Sequence, residues 1–300
     1  MDFGRVKDIK KINYTLPTDH NSIPKILGGK RAEYPKIYVG GVLWADENFV
    51  GNLYPEKAKP KDFLKYYTKQ LTTIELNLTH YRLPEYESLK RWYNTAPDGF
   101  KFCPKVHQNI SHADDLLSKI QLHNECADLF TLLGDKLGYC FMQLPPHFDP
   151  KRINELLEFL DNNKIQNFAV EVRHQAWFKN DALKELSNYL YKNEMCLVLT
   201  DTPGRRDAMH MRLTNKTAFI RFNANDMHVT DKQRIDDWMK HIKLWLDNGL
   251  EELYFFMHTP HQVYMPHLVI YFMKKLQEIC GIKLIPPVII SQEQSKNSLF

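Results

Sequence analysis

Cysteine is scarce in this sequence, and the few residues present show no paired spacing. The 300-residue chain has five cysteines, an odd number without a C-x-x-C motif, and four of them lie in apolar runs. This pattern argues against a disulfide framework and is typical of reduced thiols in a protein core. We therefore predict a cytoplasmic protein.

Long apolar runs are also missing. Residues 1–11 lack the apolar segment of a signal peptide, and no stretch approaches the roughly 18 apolar residues of a membrane span. Neither charge sign dominates, because 40 basic side chains oppose 36 acidic ones and leave a net charge of +4. So small an excess does not indicate a strong polyanion binder, although nucleic acid stays open as a partner. We expect no membrane partner, and the oligomeric state is left open.

Glycine-rich phosphate-binding motifs are absent too. Gly40-Gly41 is followed by Val42, which does not continue a G-x-G-x-x-G motif, and residues 28–31 lack the spacing and the Ser or Thr of a Walker motif. This excludes the two common nucleotide-binding loops. The same absence argues against a doubly wound open sheet. That fold is the alternative prediction, because its strands and helices also alternate along the chain.

From residue 37 onward, short β-branched or aromatic runs alternate with longer segments of helical periodicity. We predict eight strands, at 37–41, 72–77, 100–105, 138–144, 167–173, 195–201, 218–223 and 253–258. Strands that alternate with helices form βαβ units and a parallel sheet, and eight units close a barrel. The connection at 202–215 is the exception, because it has the composition of a loop.

We therefore predict an α/β protein with a single TIM-barrel-like (β/α)8 domain. The predicted barrel covers residues 37–285. A polar N-terminal extension at 1–36 precedes it, and a C-terminal tail at 286–300 follows it. The barrel is close in length to the roughly 250 residues typical of the fold.

Polar residues occupy the carboxyl ends of seven predicted strands, whereas the strand beginnings are apolar. Alternate side chains of a barrel strand face the interior, and ligands bind at the carboxyl ends. The alternation predicts these inward polar residues: Glu75, Asn77, Lys105, Gln143, Glu171, Arg173, Asp201, Arg221, Asn223 and His258. Packing gives no reason for such segregation, so we predict a site, with a buried salt-bridge network as the alternative.

Carboxylates and cations around one cavity indicate acid–base chemistry on an anionic ligand. Glu75 and Glu171 are the predicted acid and base, with pKa values separated by their neighbours. The predicted anion-binding cations are Lys105, Arg173 and Arg221. A divalent metal on the three carboxylates and His258 is the alternative. Because the cations would repel that metal, we predict no metal and no cofactor.

Other side chains near the predicted mouth have two interpretations. Trp44 and Trp177 follow strand ends, where an aromatic ring can form a wall for a sugar or a base, although packing explains them equally well. His112 and His107 follow the third strand and could reach the mouth, but a solvated loop position is the favoured interpretation for His107.

Several motifs resemble the YecE-like family, domain of unknown function 72. They are I-E-L-N-L-T-H-Y-R-L-P at 74–84, P-D-G-F-K-F at 97–102 with I-S-H at 110–112, Q-L-P-P at 143–146, and V-E-V-R-H at 170–174. The resemblance implies a TIM-barrel-like fold and the location of the site. It implies no reaction, because the activity of the family is not established.

The resemblance also implies which residues are the polar motif positions of the family. They are Glu75, Asn77, Tyr81, Arg82, Lys105, His112, Gln143, Glu171, Arg173, His174, Asp201 and Arg221. The chain departs from the family at 40–44, where G-T-S-G-W is replaced by G-G-V-L-W. It departs again at 257–258, where Met-His replaces a pair of Asn, and at 222–224, where Phe-Asn-Ala replaces Leu-His-Gly. We expect ligand groups from the first, seventh and eighth strands to differ accordingly.

We predict an enzyme that performs acid–base or hydrolytic chemistry on a small polar substrate, either anionic or sugar-like. The predicted catalytic residues are Glu75, Glu171, His112 and Asp201. The predicted substrate-binding residues are Asn77, Tyr81, Arg82, Lys105, Gln143, Arg173, His174, Arg221, His258 and Trp44. The alternative is a non-catalytic module that binds a nucleotide or nucleic acid with the same cations and aromatic rings.

Overall fold

The computed structural model describes Val6 and residues 8–290, and parallel strands form its framework. The strands are β1 Lys36–Gly41, β2 Thr73–Leu76, β3 Lys101–Pro104, β4 Cys140–Gln143, β5 Phe168–Glu171, β6 Cys196–Leu197, β7 Leu199–Asp201, β8 Thr217–Asn223 and β9 Glu252–His258. They lie on the predicted runs, because those runs carry the β-branched and aromatic residues that favour strands. Val198 divides the predicted sixth strand into β6 and β7.

Helices connect the strands. The α-helices are α1 Ile23–Leu27, α2 Phe63–Gln70, α3 Leu78–Tyr81, α4 Tyr86–Thr95, α5 Gln108–Ser111, α6 Ile120–Phe130, α7 Ile153–Asp161, α8 Leu183–Lys192, α9 Val229–Asp247 and α10 Met265–Cys280. The connection between β7 and β8 contains only the 3-10 turn Arg206–Ala208, in agreement with the loop predicted there. None of the described helices combines the length and the apolar character needed to cross a membrane.

All strand pairs are parallel, and the strands form two sheets. The larger sheet has the order β3-β2-β1-β9-β8-β7, and the smaller has the order β4-β5-β6. β1 is central in the larger sheet, since Gly40 is in register with Thr73 of β2 and with Phe256 of β9. The parallel α/β class predicted from the alternation of strands and helices is therefore confirmed.

The predicted full barrel is not confirmed, because the sheet is not closed. Isolated bridges from Phe102 to Leu137 and from Lys105 to Phe141 join the β3 and β4 regions in place of a continuous ladder. The ladder is interrupted again at Val198, between β6 and β7. Strands of two to four residues make few ladder hydrogen bonds, and both interruptions fall among such strands.

The inner faces of strands from both sheets nevertheless meet in one apolar cluster. Its members are Tyr38, Cys103, Tyr139, Phe141, Ala169, Cys196, Val198, Phe219, Tyr254 and Phe256. Cys103 stands two residues before Lys105, and Phe141 stands two residues before Gln143. Because side chains two apart on a strand share a face, the strands stack a polar layer on this apolar one.

The described part of the N-terminal extension packs on α9. Ile23 and Leu27 of α1 are buried in the main core. Asp19 accepts a hydrogen bond from Trp245 Nε1 at 2.8 Å, and its other carboxylate oxygen lies 2.7 Å from His241 Nδ1. Residues 1–5 and 7 of the extension and residues 291–300 of the tail lie outside the described residues. The domain boundaries stay a prediction.

Candidate functional site

An arginine that joins two glutamates forms the centre of the polar layer. Arg221 of β8 donates two hydrogen bonds to Glu75 of β2, from Nε to Oε2 at 2.9 Å and from Nη2 to Oε1 at 2.8 Å. Its Nη1 donates to Oε2 of Glu171 on β5 at 2.6 Å. Oε2 of Glu75 also lies 3.0 Å from His258 Nε2. Arg221 therefore ties strands of both sheets together.

Three more residues extend this network to β4 and to the ends of β3 and β5. Gln143 of β4 donates from Nε2 to Oε2 of Glu171 at 2.7 Å and accepts a hydrogen bond from Lys105 Nζ at 2.8 Å. Arg173 Nε donates to Oε1 of Glu171 at 2.9 Å. We refer to the whole set as the strand-end cluster, which consists of Glu75, Lys105, Gln143, Glu171, Arg173, Arg221 and His258.

Both glutamates of the strand-end cluster are ionised at neutral pH. Burial raises the pKa of Glu75, but the Arg221 guanidinium and His258 outweigh it and hold that pKa well below its usual range. In Glu171 burial is outweighed by Arg221 and Arg173, which lower the pKa to about 2. A general acid needs a pKa near the working pH, so neither carboxyl group is suited to donate a proton.

Lys105 carries the charge that the strand-end cluster compensates least. Its ammonium group is buried, and burial followed by the charge of Arg221 lowers the pKa of Lys105 to about 8, although Glu75 and Glu171 oppose the change. Within the described residues this ammonium group donates to the neutral Oε1 of Gln143 and forms no ion pair. A buried surplus of positive charge attracts an anion.

His112 lies at the end of α5 beside this surplus charge. Burial, and then the charges of Lys105 and Arg173, lower the pKa of His112 to about 4, so the imidazole is neutral at pH 7. Nδ1 of His112 lies 2.9 Å from Ser111 Oγ. Nε2 has no hydrogen-bond partner among the described residues. The imidazole is therefore able to accept a proton only where an anion compensates the two neighbouring cations.

Asp201 does not join the strand-end cluster, although it was predicted to face the same interior. Its carboxylate accepts a hydrogen bond from Trp238 Nε1 of α9 at 2.8 Å and forms an ion pair with Arg234 Nη2 at 2.8 Å. It also pairs with Arg206. The predicted inward orientation of Asp201 is therefore wrong, and its contacts tie β7 to the helix layer.

Thr200 occupies the inward position instead. It is in register with Arg221, and paired residues of parallel strands share a face of the sheet. The side chain is buried, and its Oγ1 has no hydrogen-bond partner in the described part of the chain. Residues 195–199 are all apolar, so periodicity alone does not indicate which of Thr200 and Asp201 faces inward.

A pocket of about 640 Å³ opens beside the strand-end cluster, at the ends of β1 and β2. Four predicted binding residues line it, namely Trp44, Asn77, Tyr81 and Arg82, and Glu75 of the cluster lines it as well. Arg82 is exposed and forms an ion pair with Glu85 at 3.4 Å. The structure therefore brings these four residues to an adjacent pocket rather than into the cluster.

His174 and Trp177 serve local structure. Nδ1 of His174 accepts a hydrogen bond from Ala176 N at 3.2 Å, which caps the 3-10 helix Gln175–Phe178. Trp177 is fully buried and donates from Nε1 to Phe148 O at 2.9 Å, so it packs in the core and does not form a wall of the mouth. A substrate-binding role for His174 stays a prediction.

Comparison with known proteins identifies the family of this chain. The family model described as "Protein of unknown function DUF72" matches residues 38–288, which include every residue of the strand-end cluster. The chain belongs to this DUF72 family. The UPF0759 protein YecE of Escherichia coli strain K12 is 29% identical over 226 residues, which cover 69% of this chain and 82% of YecE. The protein of the same description from Escherichia coli O157:H7 matches with the same figures.

Solved structures of DUF72 proteins share the fold. A 2.52 Å crystal structure of a DUF72 family protein from Enterococcus faecalis V583 has a TM-score of 0.63 at 16% identity and covers 84% of this chain and 100% of that chain. A 3.10 Å structure of a protein of the same description has a TM-score of 0.61 at 16% identity, with coverages of 83% and 96%. At this identity the similarity shows the fold alone.

The alternative metal site is not assembled in this DUF72 protein. Among the described residues, no three His, Cys, Asp or Glu side chains are grouped so that they could hold a metal ion. Glu75 and Glu171 bind Arg221 instead, and Asp201 contacts α9. The absence of a cofactor stays a prediction.

Proposed function

We propose that this protein is an enzyme that performs acid–base or hydrolytic chemistry on a small anionic substrate at the carboxyl ends of its strands. In this proposal Lys105 and Arg173 bind the anion, and His112 accepts the proton. The two glutamates keep the guanidinium groups in position. The observation that carries the proposal is the surplus positive charge of the strand-end cluster beside a neutral imidazole.

The electrostatics of the cluster link binding to proton transfer. An anion held by Lys105 and Arg173 would compensate the charge of Lys105. It would also reduce the repulsion that, after burial, lowers the pKa of His112, and therefore raise the pKa of its imidazole. A base whose pKa rises when the substrate arrives can hold the proton that it removes.

We also propose that residues 37–285 form one (β/α)8 barrel between the extension at 1–36 and the tail at 286–300. In this barrel, residues 196–201 act as one strand shared by the two sheets. The single inner apolar cluster and the bridge between Lys105 and Phe141 support this proposal. We further propose a cytoplasmic location, which the five free and buried thiols support.

Calorimetric titration with inorganic phosphate tests the anion site. Lys105→Met is expected to weaken phosphate binding about tenfold or more, because a hydrogen bond to a charged group contributes about 1.5 to 3 kcal/mol. Lys101→Met is the matched control, since Lys101 begins β3 at the opposite end and donates to Asp135 O. Equal affinities of the two variants would contradict the proposal.

Turnover distinguishes the enzyme from the alternative binding module. We expect slow release of 4-nitrophenolate from 4-nitrophenyl phosphate or bis(4-nitrophenyl) phosphate, and a loss of rate of about 100-fold in His112→Gln. Phosphate binding that depends on Lys105, without turnover of either ester, would favour a non-catalytic nucleotide-binding module. A steep loss of oligonucleotide affinity with salt would identify a nucleic-acid binder.

A further inference from the structure

Several exposed apolar side chains line the pocket beside the strand-end cluster, and a purely polar substrate would gain little from contact with them. Leu43, Leu78 and Tyr81 line it and are 40%, 51% and 64% exposed. Trp44 forms a further wall, held edge-on against the buried Trp92 with 5.2 Å between the ring centres. Exposed apolar side chains gathered around one pocket mark a binding site for an apolar group.

Two residues that line this pocket also adjoin the proposed anion site. Leu76 and Glu75 line the pocket, and Leu76 O accepts a hydrogen bond from the backbone N–H of Lys105 at 3.3 Å. The Glu75 carboxylate is close enough to Lys105 to act on the charge of its ammonium group. A ligand could therefore place one end in the pocket and the other at Lys105.

The charged side chains that line the pocket also favour an anionic ligand. Arg82 and Arg91 line it, and Glu85 pairs with the first of them. Glu75, which also lines the pocket, is already neutralised by Arg221. Within the part of the chain that the structure describes, Arg91 forms no ion pair, so the walls keep one uncompensated cation, which suits a ligand with negative charge. The volume of about 640 Å³ lies within the range of small-molecule pockets.

We propose that the substrate is an amphipathic anion, with its anionic group at Lys105 and an aromatic or branched apolar group in this pocket. The inference rests on the proposed function, because it uses the same anion site. Tyr81 and Leu78 are then specificity-determining residues. They select substrates by an apolar group that lies away from the reacting bond.

The ratio of the affinities for phenyl phosphate and inorganic phosphate tests the inference by calorimetry. We expect phenyl phosphate to bind about tenfold more tightly or better, since burial of a phenyl ring removes apolar surface from water. Tyr81→Ala and Leu78→Ala are expected to bring the ratio near one. Tyr34→Ala is the matched control, because Tyr34 is 83% exposed and precedes β1 at the opposite end of the strands.

The outcomes separate the two proposals. A ratio near one in the unmodified protein, together with phosphate binding that depends on Lys105, overturns the amphipathic substrate and leaves the proposed function intact. A ratio that stays high in both pocket variants also overturns the inference. Both proposals are overturned if benzyl alcohol binds as tightly as phenyl phosphate and Lys105→Met changes neither affinity. The site would then have no preference for an anion.

Discussion

At the scale of single residues, each buried charge of the strand-end cluster is stabilised by the other members of the cluster. Glu171 accepts hydrogen bonds from Gln143, Arg173 and Arg221. If the carboxylate is removed, Arg173 and Arg221 each lose a counter-charge and Gln143 loses a hydrogen-bond acceptor. The cost of removing one member therefore exceeds the modest value of a typical ion pair.

Glu171→Gln is expected to lower the free energy of unfolding by about 3 to 5 kcal/mol, because two buried guanidinium groups lose a counter-charge. Urea denaturation at pH 7 measures the change. Glu251→Gln is the control, because Glu251 forms an exposed ion pair with Lys216 at 2.7 Å and its loss is expected to cost under about 1 kcal/mol. Similar losses in the two variants would contradict this account of the cluster.

Sulfate binding is expected to weaken as the pH rises through about 8, because Lys105 has a pKa of about 8 and loses its charge there. Sulfate stays a dianion across the range, so its own protonation does not contribute. Calorimetric titration between pH 6.5 and pH 9.5 measures the effect. Affinity that is constant over that range, or that falls equally in Lys105→Met, would show that this ammonium group does not bind the anion.

At the scale of elements, β1 depends on a glycine where it approaches β2. A Cβ atom on Gly40 would lie 1.9 Å from Thr73 O, which is backbone and cannot move aside. A Cβ atom on the adjacent Gly41 would meet the flexible end of Met265 at 3.1 Å. The two neighbouring glycines therefore differ in what surrounds them, although the sequence presents them as a pair.

Gly40→Ala is expected to destabilise the fold by about 3 kcal/mol or more, because the added methyl group forces β1 and β2 apart. Gly41→Ala is expected to cost about 1 kcal/mol, since Met265 can rearrange. Thermal unfolding followed by circular dichroism compares the two variants. A larger loss in Gly41→Ala would indicate that the register of β1 and β2 is wrong.

The elements themselves were predictable where the pattern is local. Glu75 is flanked by Ile74 and Leu76, and this alternation correctly predicted which side chains of β2 face the interior. In β6 and β7 every residue before Thr200 is apolar, so the alternation carries no signal and the orientation of Asp201 was wrong. The same stretch contains the interruption at Val198, which no local pattern indicates.

At the scale of the whole molecule, buried histidines make stability depend on pH. Burial lowers the pKa of His80 and His210 to about 4, from an ordinary value of 6.5. Below pH 6.5 the unfolded chain therefore binds protons that the folded chain does not. These residues contribute stability that is present above pH 6.5 and is lost as the pH falls toward 4. Glu171, with a pKa of about 2, extends the loss below pH 4.5.

Lowering the pH from 7 to 4 is expected to reduce the free energy of unfolding by about 2 kcal/mol or more. Urea denaturation at several pH values measures the decline. His80→Asn is expected to reduce its slope, because Asn does not titrate and can still donate a hydrogen bond to Val106 O, as His80 does. Stability at pH 5 equal to or above that at pH 7 would contradict the assignment of neutral buried histidines.

Local sequence patterns are enough to predict the parallel α/β class, the positions of the strands and the segregation of polar residues to their carboxyl ends. Each of these follows from the two-residue period of a strand or the 3.6-residue period of a helix, and both are local properties of the backbone. The resemblance to the YecE-like family was likewise contained in the order of short motifs, and the family comparison confirmed it.

The pairing of the charges, in contrast, depends on contacts that form only in the folded chain. Arg221 meets Glu75 across 146 residues of chain and Glu171 across 50. These contacts outweigh desolvation, so both carboxyl groups stay ionised, and the surplus charge is left at Lys105. The ionisation of a side chain depends on neighbours that folding brings from distant strands and on the water that folding removes. The adjacent residues of the sequence predict neither effect.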